Sequence, residues 1–126
     1  MKLMNIAICI ITLLFSIASC AQDKDNSAFK SVDLNQFKEV IADTANVILV
    51  DVRTAEEHAQ GNIPGTKCNI DVLKKDFESI AVKSLPKEKT IAIYCRSGRR
   101  SKNAGAILNK NGYNVVELST GYNGWK

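Results

Sequence analysis

The sequence has one histidine, two prolines and one tryptophan in 126 residues. A lone histidine, with no pair of cysteines at Cys-x-x-Cys spacing, offers no metal-ligand set of known spacing, so neither a metal nor a cofactor is expected. Four cysteines are present, but Cys9 and Cys20 fall in an N-terminal leader, which leaves Cys68 and Cys95 for the folded part. Two are too few for the disulfide framework that small secreted domains use when their core is thin. The net charge of +4 is mild and its lysines are scattered. With no basic stripe and no interleaved aromatics, a nucleic-acid partner is not expected. There is no internal repeat and no second domain. What remains is a chain 45% apolar and 24% charged, a composition that suits one globular domain and argues against disorder.

Residues 1–19 read as a targeting segment. Lys2 gives a positive start, and Ile6 to Ile17 is apolar except for Thr12 and Ser16. This run is too short for a membrane span and suits the core of a signal peptide. Ile17-Ala18-Ser19-Cys20 resembles the lipobox of bacterial lipoproteins. That resemblance implies cleavage before Cys20, acylation of Cys20, and a membrane anchor in the bacterial cell envelope, facing the periplasm or the cell exterior. The alternative is an ordinary secretory leader with Cys20 incidental. The polar segment 21–27 reads as a flexible tether.

The rest alternates strands and helices. Phe29 to Val32 reads as a strand. Asp33 with Gln36 forms a capping box, and Phe37, Val40 and Ile41 give the following helix its apolar face. Val47 to Val50 is a continuous apolar run, as in a parallel strand covered on both faces. Thr54 caps a short helix through Gln60, with Glu57 at the capping-box position. Gly61 to Gly65 is a turn. Asn69 and Ile70 lead a short strand, and Asp71 starts a helix carrying Val72, Leu73, Phe77, Ile80 and Ala81. Thr90 to Tyr94 is a buried strand, followed by a helix through Leu108 that Asn111-Gly112 stops. Val115, Val116 and Leu118 make a last strand, and Trp125 is expected to pack as a terminal plug. The pattern implies an α/β domain over residues 28–126, with a parallel sheet and helices on both faces. Ligands of such sheets bind beyond the carboxyl ends of the strands.

Cys95 stands at one of those ends, in Cys95-Arg96-Ser97-Gly98-Arg99-Arg100, between a strand and a helix. Loop amides and a helix N-terminus converging there favour an anion and lower the pKa of a thiol. The arginines add charge that no physiological pH removes. The alternative is a buried, inert strand-end cysteine. Ser97 and Gly98 read as loop-formers that expose amides.

The loop resembles the active-site loop of the rhodanese family of sulfurtransferases, through Cys95, Gly98 and Arg100. Asp51-Val52-Arg53, Glu57 and Gly61-Asn62-Ile63-Pro64-Gly65 are similar to a second family motif, and Thr120-Gly121-Tyr122-Asn123-Gly124-Trp125 to the closing one. The resemblance implies a rhodanese-like domain in which Cys95 takes a sulfane sulfur as a persulfide and hands it on by a ping-pong route. The donor would be thiosulfate or another small sulfur-containing anion. The acceptor would be cyanide or a thiol, with a thioredoxin-like protein as one candidate. Arg100 matches the family arginine facing the site, Arg99 is a candidate for the donor's oxyanion, and Arg96 fits the loop or the surface. Asp51 and Arg53 are expected to support the site, either with the Asp51 carboxylate orienting Arg100 or with Arg53 in a local pair with Glu56 or Glu57. Asn62 stands where the family has a histidine, so His58 is expected to be structural and partly exposed. Cys68 reads as an apolar filler, with a resolving role toward an oxidised Cys95 as the alternative.

Two rival readings share these residues. A cysteine-dependent phosphatase or arsenate reductase uses Cys-x5-Arg, whereas position 101 is Ser101 and Arg100 gives a loop one residue shorter. The shorter loop suits a single sulfur atom rather than a tetrahedral oxyanion. A non-enzymatic rhodanese-like binding or regulatory module usually lacks the cysteine, which is present here.

Overall fold

A computed structural model describes residues 27–126, so the leader, Cys9 and Cys20 lie outside the described residues. The chain runs β1 (Phe29–Val32), α1 (Leu34–Ala42), β2 (Val47–Asp51), α2 (Ala55–Gln60), β3 (Cys68–Asn69), α3 (Phe77–Ser84), β4 (Thr90–Tyr94), α4 (Arg99–Lys110), β5 (Val115–Leu118) and α5 (Gly121–Trp125). The strands form one parallel five-stranded sheet in the order β1-β5-β4-β2-β3, with β4 in the middle. All carboxyl ends therefore lie along one edge, as expected from the alternation of elements.

Side chains alternate across each strand, so β4 feeds two cores. Ile91, Ile93 and Cys95 point into the core that contains Ala104 and Leu108 of α4, and Phe77 and Ala81 of α3. Ala92 and Tyr94 point into the other, with Phe37 of α1, Ile63 and Leu118, and with Tyr122 and Trp125 of α5 packed against it. Cys95 thus inherits its position from the pleat of β4. It lies on the face that α4 covers.

Both capping boxes form. Asp33 accepts from the Gln36 amide at 2.9 Å and Thr54 from the Glu57 amide at 3.2 Å. One expectation fails. The helix anticipated from Asp71 begins only at Phe77. The amides of Ile70 and Val72 donate to Asp51 O and Val52 O, which keeps the chain running along β2. Asp71 then accepts from the Leu73 amide at 2.9 Å, an Asx turn that competes with helix. Leu73 is accordingly 66% exposed rather than part of an apolar face. The C-terminal tail, for which only the packing of Trp125 was anticipated, is the short helix α5. Trp125 does pack against the second core, half-buried, with the Lys38 ammonium 5.3 Å above its ring.

Candidate active site

Cys95 is the first residue beyond β4, and its side chain is fully buried. The chain then turns sharply at Gly98, whose φ is +96°, before entering α4. A Cβ at Gly98 would collide with the carbonyl oxygen of Ser119, so the turn needs glycine for backbone and for space. The turn folds the loop back over the sulfur. The Gly98 amide donates to Cys95 Sγ at 3.1 Å, and Ser101 Oγ lies 3.4 Å from it.

The loop's outward carbonyls are held from outside. The amides of Tyr122 and Asn123 donate to Cys95 O at 2.8 Å and Arg96 O at 3.0 Å. Helix α5 therefore fixes the peptide planes so that amide hydrogens face the sulfur. Gly121, at φ +64°, allows this approach, because a Cβ there would strike Arg96 O.

Two effects oppose each other at the thiol. Burial pushes its pKa up, while hydrogen bonding with the Ser101 hydroxyl and from the amides of Ser101, Gly98 and Ser97 pulls it down. The second set prevails, and the Cys95 pKa lies below the ordinary thiol value. Cys68 is the contrast. It is a free thiol like Cys95, half-buried against the same core, and burial alone pushes its pKa up.

The arginines divide differently from expectation. Arg100 does not meet Asp51. It forms a two-pronged pair with Glu57, at 2.7 and 2.9 Å, with both side chains partly buried. Hydrogen bonding to Arg100, against a smaller desolvation effect, brings the Glu57 pKa down to about 2. Arg100 is in turn shifted up, chiefly by Glu57 and to a smaller extent by the Cys95 charge, so it stands within electrostatic reach of the sulfur. Glu57 belongs to the second motif and to a capping box. Nothing in local spacing marks it as the partner of a residue 43 positions away.

Asp51 pairs with Arg53 instead, through bonds of 2.8 to 3.2 Å, and also accepts from the Arg53 amide. The anticipated contact of Arg53 with Glu56 or Glu57 gives way to this buried pair. The Arg53 guanidinium also donates to Gly61 O at 2.6 Å and stacks over the Tyr122 ring at 4.4 Å. It ties the Gly61–Gly65 turn to α5. His58 is partly exposed, with Nδ1 3.0 Å from Asp51 Oδ2. It buttresses the pair rather than facing the sulfur.

Beside the loop opens a cavity of about 360 Å³ lined by Arg53, Glu57, Arg96, Tyr122, Asn123 and Lys126, among others. Arg99, the anticipated oxyanion binder, is exposed on the first turn of α4 and is not among the lining residues. Arg96 is the loop arginine that faces this space. Two further residues escaped sequence reasoning. Ser101 reaches the sulfur, and the fully buried Glu117 reaches Ser101. Glu117 is the one charged residue of an otherwise apolar strand, a pattern equally common on a solvent-facing side chain. Among the described residues, no cluster of metal-ligating side chains occurs.

The Rhodanese-like domain model matches residues 33–126, three-quarters of the chain and the whole of the sheet except β1. The chain belongs to the rhodanese family. A sulfurtransferase of Allochromatium vinosum is 39% identical over 97 residues, covering 75% of this chain and 85% of that protein. A thiosulfate sulfurtransferase of Escherichia coli is 39% identical over 72 residues, covering 57% and 67%. Among solved structures, a rhodanese-like domain protein from Staphylococcus aureus superposes with a TM-score of 0.66 at 31% identity, covering 77% of this chain and 91% of that one. A human single-domain sulfurtransferase gives 0.61 at 27% identity, covering 75% and 93%. The rhodanese domain is thus a single unit here, and the described residues account for its sheet, its loop and its closing helix.

Proposed function

We propose that the chain is a sulfurtransferase that carries a sulfane sulfur on Cys95. The observation that carries this reading is the amide cradle around Sγ, which favours the thiolate despite full burial. The Cys95 thiolate attacks the outer sulfur of thiosulfate or of a persulfide donor. The donor's S–S bond breaks, sulfite or a thiolate leaves with the electron pair, and Cys95 becomes a persulfide anion. The loop amides and the nearby Arg100 stabilise that anion. A thiophilic acceptor, cyanide or a thiolate, then takes the outer sulfur and restores the Cys95 thiolate. Arg53, Arg96 and Lys126 make the adjoining cavity suitable for an anionic donor. The family membership and the names of the relatives support sulfur transfer as the reaction class.

The leader supports a second part of the reading. A short apolar segment ending at Cys20 fits a lipid-anchored protein of the bacterial envelope, with the domain displayed outside the membrane on its tether. A thioredoxin-like carrier would then meet the site from solvent. Metabolic labelling with a radioactive fatty acid checks the anchor: label is expected in the wild type and absent from Cys20→Ser.

Formation of thiocyanate from thiosulfate and cyanide tests the reaction. Wild-type protein is expected to turn over, and Cys95→Ser to fall to the uncatalysed rate while keeping its fold. Undiminished turnover by Cys95→Ser, or hydrolysis of phosphate esters by the wild type, would overturn the reading.

A further inference from the structure

Glu117 is a carboxylate with none of its surface exposed, set in β5 between Ser31 on β1 and Ile93 on β4. A parallel strand buried on both faces calls for an apolar side chain at that position, and isolating a carboxylate there is expensive. Its two oxygens are fully engaged. Oε1 accepts from Ser31 Oγ at 2.5 Å and from the Lys102 ammonium at 3.1 Å. Oε2 accepts from Ser101 Oγ. Lys102 is 57% exposed, so its charge is shared with solvent and compensates the carboxylate only in part.

Ser101 Oγ also lies 3.4 Å from Cys95 Sγ. A hydroxyl has one hydrogen, and here two groups call on it. If the hydrogen points to Glu117, Ser101 Oγ meets Sγ only as an acceptor, and the S–H donates to it while the Gly98 amide donates to Sγ from the other side. If it points to Sγ, a charged sulfur is satisfied, and Glu117 Oε2 must carry a proton to meet the oxygen. These two arrangements, thiol with carboxylate and thiolate with carboxylic acid, hold the same number of protons. They differ only in where the protons sit along Sγ–Oγ–Oε2.

We propose that Glu117 exchanges a proton with Cys95 through the Ser101 hydroxyl. The S–H bond breaks and its proton passes to Ser101 Oγ, while the Ser101 O–H bond breaks and its proton passes to Glu117 Oε2. One negative charge moves from carboxylate to sulfur, nothing is oxidised or reduced, and no proton leaves the protein. Part of the thiolate population is then independent of bulk pH. Glu117 is a positioning residue for the reaction, since it acts on the sulfur only through Ser101. The groups bonded to it are Ser31 from β1 and Ser101 and Lys102 from α4, and Cys95 reaches it only through Ser101. Lys102 favours the charged carboxylate, and hence the thiol. Arg100, pinned by Glu57, favours the thiolate.

The inference builds on the reading of Cys95 as a sulfur carrier, and the following test does not use sulfur transfer. Thiolate absorbance is recorded against pH for the wild type, Glu117→Gln and Lys102→Met, each minus its own Cys95→Ser counterpart. The wild type is expected to show a flat thiolate shoulder below its main rise, and Glu117→Gln to lose the shoulder and titrate in one step. Lys102→Met is expected to raise the shoulder, because it releases Glu117 to take the proton. A cation acting on the sulfur directly would do the reverse, and its removal would deplete the thiolate. A single-step wild-type curve, or a lower shoulder in Lys102→Met, overturns the proposal. Should Glu117→Gln not fold, the wild-type and Lys102→Met curves decide, since Lys102 is exposed. A shoulder without persulfide formation from thiosulfate would overturn the sulfurtransferase reading alone. Persulfide formation with a single-step curve would overturn this inference alone.

Discussion

Gly98 shapes the loop that folds back over the Cys95 sulfur. Its φ of +96° and the Ser119 carbonyl leave no room for a side chain. Gly98→Ala is therefore expected to lose about 1–3 kcal/mol from backbone conformation alone, with the collision adding to it. Urea denaturation measures the loss, and iodoacetamide kinetics should show the Cys95 rate profile moving toward that of an ordinary thiol. Glu57 gives a pH signature. Its folded pKa of about 2 lies below its unperturbed value, so its contribution to stability is fully present above about pH 4.5 and is lost as pH falls toward 2. Thermal melts of wild type and Glu57→Gln should differ near neutrality and converge in acid. At this scale the sequence was partly readable. Cys95 and Gly98 announce themselves because their chemistry is local to the loop. Glu57 and Glu117 do not, because their partners are set by tertiary placement. A Glu in an apolar strand looks the same whether it faces water or a buried serine.

The elements follow from local patterns wherever those patterns act alone. The capping boxes at Asp33 and Thr54 set the starts of α1 and α2, and the apolar runs at 47–50 and 90–94 are strands. Local reasoning failed at Asp71, where hydrogen bonds to Val52 and within an Asx turn override a plausible helical face. It left α5 unassigned, a helix of five residues that forms against the Cys95 loop rather than from its own propensity. The Asp51–Arg53 pair joins the end of β2 to the Gly61 turn and to Tyr122. Asp51→Asn leaves a buried guanidinium without its counter-ion and is expected to cost about 3–5 kcal/mol, read as a lower urea midpoint. Asp51 touches neither Sγ nor the loop amides. Protein that remains folded should therefore keep a Cys95 alkylation profile close to that of the wild type.

Across the whole molecule, one parallel sheet brings the ends of β2 and β4 to the same edge, and the C-terminal helix closes over them. The Cys95 sulfur is thereby buried on three sides: by β4, by the first turn of α4, and by a loop held from outside by α5. Deleting residues 121–126 removes the donors to Cys95 O and Arg96 O and uncovers part of the second core. The shortened chain is expected to melt at lower temperature and to lose the depressed Cys95 pKa, which calorimetry and alkylation kinetics would record.

Mass spectrometry of the intact protein after thiosulfate treatment, followed by peptide mapping, tests the central claim most directly. One added sulfur on Cys95, removed by cyanide, is the predicted result. No added sulfur, or sulfur carried on Cys68 with Cys95 unmodified, would contradict it.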